Sequence, residues 1–425
     1  MAREMKNSGI EWLGEIPANW KTSRIKHSVR WKSVKGQPDA TVLSLYRDYG
    51  VVPKDSRDDN HNVTSLDTSG YKVVAIGDFV INKMKAWQGS MAVSDYEGII
   101  SPAYHVCEII DPSIDKKYFH HLMRNHSYLP EYTRLSTGMR IGQWDLGFDD
   151  FKNIPFIIPP IEEQRKIADF LDHVCAEIDA VIASTKATIE EYKALKQAII
   201  TEAVTKGIRG DRPMKDSGIE WIGDIPVEWN VIKMKHLGNC RNGLTYSPDN
   251  LTDESGTLVL RSSNIKDGKL NFDDNVYVSS EIKEDLWVKE GDILICSRNG
   301  SRALIGKNAL IPQGLKASFG AFMMIFRCKS SRYVQMVLNS AVFSYYLGTF
   351  LTATINQLTA DNFNNMQIVY CPDEEEQNEI IEYLQDKCDK FDKLIADKTH
   401  LLEEMESYKK SVIYEYVTGK KEVIL

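Results

Sequence analysis

Several short residue patterns in this chain come close to known catalytic or metal-binding motifs, but each lacks something that the chemistry needs. Residues 300–308 approach a Walker A phosphate-binding loop with one residue too many, and Asn308 stands where Ser or Thr should hold Mg²⁺. His120, His121 and His126 lack the spacing of a zinc site, so we interpret them as surface or structural residues. No Asn-Pro-Pro-Phe/Tyr string, dinucleotide-binding glycine motif or nucleophile elbow occurs. The sequence therefore predicts no catalytic centre; the alternative is an enzyme whose scattered site follows no motif.

The charge of the chain is unevenly distributed. The net charge is −8, and residues 361–425, with 16 Asp or Glu against 8 Lys, account for all of it. Residues 293–360 contain no acid and seven Lys or Arg, and residues 21–35 contain six Lys or Arg and no acid. Local basic zones on an acidic chain are typical of a protein with one face for nucleic acid and another for protein partners. A solvated basic surface without a partner is the alternative.

A short motif occurs twice in the chain. Residues 5–27 and 214–236 are identical at 13 of 23 positions. The identical positions include two tryptophans in each copy, which we interpret as core or hinge residues rather than base-stacking residues: Trp12, Trp20, Trp221 and Trp229.

A longer segment is also duplicated. Residues 162–206 and 375–419 align at an offset of 213, whereas the intervening residues 28–155 and 237–370 do not resemble each other. The order is therefore short motif, variable region and long segment, and then all three again. One frame is used twice, with a different variable region in each copy.

The duplicated long segments are predicted to be helices, placed at residues 159–208 and 372–425. Their apolar residues recur at intervals of mostly three and four, each begins after a proline with acidic residues in its first turn, and each ends near a glycine. About 45 residues would form a rod of about 67 Å. Because a whole domain separates them, their matching apolar stripes predict an antiparallel coiled coil. The end of each helix is then expected beside a copy of the short motif. The alternative is two unrelated bundle helices.

The variable regions are predicted to be compact domains of class α+β. Short apolar runs bounded by turn residues indicate strands, and helical stretches are expected at residues 116–126 and 331–349. The predicted strands are TVLSLY, YKVVAI, DFVINK, TLVLRS, DILICS and AFMMIF. With the short motifs included, the two domains are placed at residues 1–158 and 209–371. The fold expected overall is a pseudo-twofold tandem repeat of two mixed α/β domains joined by two long antiparallel coiled-coil helices.

Composition favours a cytoplasmic protein. No apolar run approaches the roughly 18–20 residues of a membrane span, and the N-terminal MAREMKNSGIEW lacks the apolar stretch of a secretory signal. The seven cysteines are scattered without a CxxC pair, which is typical of free thiols in a reducing compartment. We therefore expect neither a disulfide framework nor a metal bound by this chain.

This arrangement closely resembles the specificity subunit of type I restriction–modification enzymes. The resemblance covers essentially the whole chain and rests on the duplicated SGIEWLGEIPANW and SGIEWIGDIPVEW, and on the helix start IPPIEEQRKIADFLD with its weaker copy CPDEEEQNEIIEYLQ. The string VINKMKAWQGSMAVSDYEGIISPAYHV is also similar to one class of recognition domain in that family. The second copy departs from the pattern, with Tyr-Cys-Pro at residues 370–372 in place of Ile-Pro-Pro, so a different helix entry is expected there.

The resemblance implies a non-catalytic, sequence-specific DNA-binding subunit. Each variable domain is expected to read, in the major groove, one half of a bipartite target in double-stranded DNA. The paired helices are expected to set the unread spacer and to dock two modification subunits. Those subunits would bring S-adenosylmethionine and methylate adenine, and restriction subunits would translocate and cleave DNA with ATP and Mg²⁺. This chain itself is expected to bind no cofactor.

Base edges are recognised mainly by Arg, Lys, Asn and Gln. The candidate DNA-binding residues in the first domain are Lys83, Lys85, Trp87, Gln88, Arg140 and Gln143. Those in the second domain are Arg261, Asn264, Arg298, Asn299, Arg302, Lys316, Asn356 and Gln357. The alternative from another functional class is a coiled-coil scaffold that binds proteins without DNA specificity, and the acid-free stretch at residues 293–360 argues against it.

Overall fold

The computed structural model describes residues 3–57, 64–65, 67–138, 144–351 and 356–423. The chain forms two compact units, which consist of Met1–Lys186 with His400–Leu425 and of Ala187–Thr399. Both boundaries fall inside a long helix. Each unit therefore combines one α+β domain with half of each long helix.

The first unit is built around a four-stranded antiparallel sheet. Its strands are β1 (Met5–Asn7), β2 (Glu15–Pro17), β3 (Lys21–Arg24), β4 (Val29–Lys32), β5 (Leu43–Tyr46), β6 (Gly50–Pro53), β7 (Lys72–Val74), β8 (Phe79–Asn82), β9 (Met91–Val93), β10 (Gly98–Ile100), β11 (Tyr104–Ile109) and β12 (Pro155–Ile158). The central sheet has the order β4-β11-β8-β9, and smaller antiparallel pairs join β1 to β2, β3 to β12, β5 to β6 and β7 to β10. Its helices are α1 (Lys116–Met123), α2 (Leu129–Leu135), α3 (Phe148–Phe151) and the first part of α4 (Ile161–Lys206).

The second unit repeats this plan. Its strands are β13 (Met214–Asp216), β14 (Asp224–Pro226), β15 (Asn230–Lys233), β16 (Gly238–Asn242), β17 (Leu251–Thr252), β18 (Thr257–Leu260), β19 (Ile265–Lys266), β20 (Lys269–Leu270), β21 (Tyr277–Val278), β22 (Ile293–Cys296), β23 (Asn308–Leu310), β24 (Ser318–Phe319), β25 (Met323–Cys328) and β26 (Gln367–Tyr370). Its central sheet has the order β16-β25-β22-β23, which matches β4-β11-β8-β9. Its helices are α5 (Ser331–Leu338), α6 (Ala341–Phe350), α7 (Ala360–Asn365) and the first part of α8 (Glu374–Val417). A further sheet of order β17-β21-β18-β24 occurs in this unit.

The same turn introduces the central strand of each domain. Gly77 has a φ of +85° and Gly291 a φ of +78°, backbone conformations that favour glycine. The aspartate that follows closes the turn: Asp78 accepts a hydrogen bond from the backbone N–H of Ala75, and Asp292 accepts one from Lys289, both at 2.8 Å. The strands that follow, β8 and β22, are almost wholly buried because apolar residues cover both faces of the sheet.

All six predicted strands are confirmed, as β5, β7, β8, β18, β22 and β25. The helix predicted at residues 116–126 is confirmed as α1 and is capped by Asp115, which accepts hydrogen bonds from the backbone N–H groups of Lys117 and Tyr118. The stretch predicted at residues 331–349 is two helices, because Ser340 leaves the helical conformation and caps the start of α6.

The two long helices are antiparallel, as predicted. In the first unit the rings of Phe170 and Tyr416 are 4.4 Å apart and Lys409 lies 2.6 Å from Asp179. In the second unit the rings of Tyr192 and Phe391 are 6.2 Å apart and Lys196 lies 2.5 Å from Asp392. In the first unit, residue numbers that rise from 170 to 179 along α4 meet numbers that fall from 416 to 409 along α8. In the second unit Lys196 meets Asp392, and Gly207, just after α4, lies beside Glu376 near the start of α8. The helices end just before Gly207 and Gly419, which have φ values of +77° and +72°.

The altered entry to the second long helix does not change where the helix begins. At the offset of the repeat, Glu374 is the counterpart of Ile161, and these are the first residues of α8 and α4. Gln377 donates to the carbonyl of Cys371, six residues before it, whereas Gln164 donates to that of Pro159, five residues before it. Asp373 accepts a hydrogen bond from the N–H of Glu375 and caps the helix. The two long helices therefore begin at equivalent residues, but the contacts that lead into them differ.

The short motif forms a junction with the helices in each unit. Trp20 is fully buried and its indole N–H donates to Glu163 (3.0 Å), which also pairs with Arg3 at 2.5 Å. The chain from Gly419 packs on the same Trp20, and Tyr118 donates to the carbonyl of Val417 (2.9 Å).

The second unit repeats this junction with equivalent residues. Trp229 is fully buried and donates to Glu376 (3.2 Å), and Arg212 pairs with the same carboxylate. Tyr333 donates to the carbonyl of Val204 at the end of α4 (3.4 Å). The predicted closeness of each helix end to a copy of the short motif is confirmed, as is the packing role of Trp20 and Trp229.

Candidate nucleic-acid interface

In the first domain, a loop with a fixed backbone follows the central strand β8. The carbonyl of Lys83 accepts a hydrogen bond from the N–H of Leu146 (2.9 Å), which ties the loop to the segment before α3. The backbone N–H of Met84 donates to Asn82 Oδ1, and its carbonyl accepts a hydrogen bond from the indole N–H of Trp87, each at 3.2 Å. The loop is closed by Gly89 in the left-handed conformation, where residues with a side chain are strained.

The candidate side chains of this loop differ in their freedom to bind a ligand. Lys83 pairs with Asp145 at 2.8 Å, and Trp87 packs edge-on against Trp144 with ring centroids 5.3 Å apart. Lys85 and Gln88 are exposed. Arg140 and Gln143 lie outside the described residues. We call the described part, formed by residues 83–88 and 144–145, the first reading surface.

In the second domain, the loop after β22 is held from several sides. The carbonyl of Phe322 accepts hydrogen bonds from the N–H and hydroxyl of Ser297 (both 3.0 Å) and from the N–H of Arg298 (3.1 Å). Leu358 donates to the carbonyl of Ser297 (2.7 Å), and Arg298 and Gln357 form an antiparallel bridge. The loop at residues 297–302, Phe322 and residues 356–357 therefore form one surface, which we call the second reading surface.

Five of the eight second-domain candidates come together on this surface. Arg298 is exposed and its guanidinium lies 5.3 Å from the ring centre of Phe322, itself 59% exposed. Among the described residues, no carboxylate forms an ion pair with Arg298. Asn299 is oriented by Ser262 (3.1 Å), and the remaining contacts are weaker: Arg302 to the carbonyl of Gly348 and Asn356 to that of Gly300, both 3.4 Å. Gln357 completes the group through its bridge to Arg298.

The other three second-domain candidates have different surroundings. Asn264 is fully buried: its Oδ1 accepts from the N–H of Arg261 and its Nδ2 donates to Asn271, Asp274 and Asn275. Because its polar atoms are used inside the loop, we exclude Asn264 from the candidate surface. Arg261 is paired with Asp274 at 2.8 Å. Lys316 is exposed and precedes β24, whereas Phe322 follows that strand.

Part of the basic character expected from sequence is neutralised within the fold. In the zone at residues 21–35, Arg30 pairs with Glu108 and Lys32 with the buried Asp78, both at 2.6 Å. In the acid-free stretch, Arg327 pairs at 2.6 Å with Asp292, which lies one residue before that stretch begins. The charge available to a partner is therefore smaller than the residue counts suggest.

The histidine cluster has structural contacts. His120 accepts a hydrogen bond from the N–H of Val93, and its burial lowers the pKa of the imidazole well below the usual value. His121 and Lys117 both bind Asp172 and hold the pKa of that carboxyl at about 2. Within the described part of the chain, no three His, Cys, Asp or Glu side chains are grouped to hold a metal ion, and no helix is long and apolar enough to cross a lipid bilayer.

The sequence profile described as the type I restriction modification DNA specificity domain matches the chain twice, at residues 17–191 and 226–406. The chain belongs to this family. It is 25% identical over 421 residues to the type I restriction enzyme MjaVIII specificity subunit of Methanocaldococcus jannaschii, covering 95% of this chain and 93% of the relative. It is 27% identical over 227 residues to the type I restriction enzyme EcoKI specificity subunit of Escherichia coli, covering 48% of this chain and 43% of the relative.

A solved structure shares the fold of this chain. A chain from a study of complex assembly and conformational transition of the type I R-M system superimposes with a TM-score of 0.70 at 16% identity, covering 96% of this chain and 99% of that chain. The chain is thus a type I restriction–modification specificity subunit with two DNA specificity domains, as the sequence patterns predicted.

Some members of the two reading surfaces were missed by sequence reasoning in this type I specificity chain. Phe322, Met84 and Trp144 are apolar, and Asp145 has the wrong charge for a search based on basic and amide side chains. A signal was present for one pair: Trp144 and Asp145 directly follow the candidate Gln143. The exposure of Met84 (49%) and Phe322 (59%) could not be inferred, because residues of these types are usually buried.

Proposed function

We propose that this specificity subunit reads a bipartite DNA target, one half with each reading surface. The observation that supports this most directly is that two different loops are mounted at the same place on two equivalent frames. The backbone N–H of Leu146 donates to the carbonyl of Lys83, and that of Leu358 donates to the carbonyl of Ser297 in the same way. The side chains that the two loops present differ. Two such readers suit a target whose halves have unrelated sequences.

The polar side chains of the second reading surface are suited to contacts in the major groove. Arg298 is exposed without a carboxylate partner among the described residues, so it is free to bind both O6 and N7 of a guanine. Asn299, Arg302, Asn356 and Gln357 supply further donors and acceptors beside it. In the first domain, Lys85, Trp87 and Gln88 would contact the major groove. Lys83 would do so as well if its ion pair with Asp145 breaks when DNA binds.

We further propose that the paired long helices set the spacer between the half-sites and dock two modification subunits. The catalytic steps would then belong to partners: S-adenosylmethionine would be bound by the modification subunits, and ATP and Mg²⁺ by restriction subunits. This chain would contribute recognition and no catalysis. A coiled-coil scaffold without DNA specificity is not favoured, because it gives no reason for two differently equipped loops on one frame.

Methylation mapping tests the proposal directly. Cells that express the chain with its modification subunit should acquire adenine methylation at one bipartite motif with a fixed unread spacer. Cells that express either protein alone should acquire none. A motif without a spacer, or methylation by the modification subunit alone at the same sites, would contradict the proposal.

Replacing Arg298 with Ala should relax recognition in one half of the motif only. A lost bidentate contact to guanine costs about 1–3 kcal/mol, or roughly a 5- to 150-fold loss of discrimination at one base pair. Lys329→Ala is the control for loss of a charge, because Lys329 is exposed just after β25 and lies outside the second reading surface. The mapped motif of each variant is the measurement. Equal relaxation of both halves by Arg298→Ala would show that the two surfaces are not independent readers.

A further inference from the structure

The two reading loops can be aligned residue by residue although their sequences differ. Strands β8 and β22 have the same place in their sheets. The residue directly after each strand is Lys83 or Ser297, and its carbonyl accepts a hydrogen bond from the backbone N–H of an equivalent leucine. The next residues, Met84 and Arg298, therefore occupy equivalent positions in the two readers. One domain presents a thioether side chain where the other presents a guanidinium.

Met84 is exposed and its backbone is fixed. Its side chain is 49% exposed, and its N–H and carbonyl are held by Asn82 and by the indole of Trp87, each at 3.2 Å. Trp87 is in turn held against Trp144. Such a residue loses little backbone freedom when a partner covers it, so the apolar contact it makes is retained in the binding free energy.

The surroundings of Met84 indicate which group it contacts. The apolar group on the floor of the major groove is the 5-methyl of thymine. The neighbouring cation, Lys83, is paired with Asp145 at 2.8 Å and so is less available for guanine than Arg298 is in the other domain. We propose that Met84 determines specificity in the first half-site by packing on the methyl group of a thymine. This inference rests on the proposed function.

Uracil scanning of the target provides a test, because uracil pairs as thymine does but lacks the methyl group. The complex of the full chain with its modification subunit is used with duplexes that carry the mapped motif. The first half-site is the half that Arg298→Ala leaves unchanged. One uracil substitution there should weaken binding about fourfold, the effect of leaving one methyl group unburied. In the Met84→Ala complex the same substitution should change binding by less than about 1.5-fold.

Two control variants make the result specific. Met84→Leu keeps an apolar side chain of similar volume and should retain the discrimination, and Met84→Arg, which copies Arg298, should lose it. Unchanged thermal unfolding of all variants would show that the loop and its domain are intact. Equal binding by the unmodified complex of the target and of every duplex with one uracil in the first half-site would overturn the inference, as would uracil discrimination that is the same with and without Met84. Absence of any methylated motif would instead count against the proposed function.

Discussion

Replacing Glu376 with Ala should destabilise the second unit by about 3–5 kcal/mol, because the variant leaves one partner of a buried ion pair behind. The Glu376 side chain is 3% exposed, and it binds Arg212 and the indole N–H of Trp229. Arg212 is 13% exposed and keeps its ion pair with Glu228 (3.2 Å), so we expect a loss near the lower end of that range. The free energy of unfolding, measured with denaturant, gives the size of the effect.

A surface carboxylate of the same helix turn provides the control. Glu379 pairs with Arg209 at 2.8 Å, but both side chains are 42% exposed, so Glu379→Ala should change stability little. Hydrogen exchange should locate the loss in Glu376→Ala at Trp229 and at the end of α4 near Val204, which belong to the same junction. Comparable losses in Glu376→Ala and Glu379→Ala would contradict a specific role for the buried carboxylate.

The ionisation of Glu376 should make the stability of the protein depend on pH. Burial alone would raise the pKa of Glu376, but hydrogen bonds from Arg212 and Trp229 outweigh it and hold the pKa below its usual value. A lowered folded-state pKa contributes stability that is complete above the unfolded-state value, about 4.3, and is lost as the pH falls through the folded-state value. The stability difference between the unmodified protein and Glu376→Ala should therefore shrink on acidification below about pH 4.

The parts of the fold that follow a repeating physical rule could be predicted from the sequence. The apolar stripes of the long helices, their glycine ends at 207 and 419, and the buried runs that became β8 and β22 all depend on local spacing. The duplication added long-range information, because two copies of one motif imply two copies of one junction. The altered residues 370–372 do not move the start of the helix, because Asp373 caps α8 where Pro160 precedes α4 in the first copy.

The reading surfaces were predictable only in part, for physical reasons that particular residues illustrate. Arg298 and Asn264 are both plausible base-reading residues by type, yet one is exposed and the other is fully buried as the centre of a loop. Residue type does not reveal which polar atoms the fold itself will use. Lys32 and Arg327 show the same for charge, since each is paired with an aspartate that is distant in sequence or outside the counted segment.

If the long helices set the spacer, lengthening both should change the DNA motif without changing either half-site. Lys186 lies 3.9 Å from Glu406, so residues near Ser184 in α4 and near Glu404 in α8 are at about the same level. Four residues inserted at both places would add about 6 Å of helical rise. B-DNA advances about 3.4 Å per base pair, so the unread spacer should grow by about one or two base pairs. Methylation mapping of the variant gives the new spacer.

The number of inserted residues separates the ruler from a general disturbance of the helices. Four residues are close to one turn, so the apolar stripes remain nearly in phase and the helices still pair. Two residues rotate the stripe by about 200°, which would turn apolar residues toward solvent and should destabilise the protein instead of shifting the spacer. A four-residue variant that is as stable as the unmodified protein and methylates the original motif would show that the helices do not set the spacer. Because each half-site is assigned to a different loop, both halves of the motif should be retained in any variant that still folds.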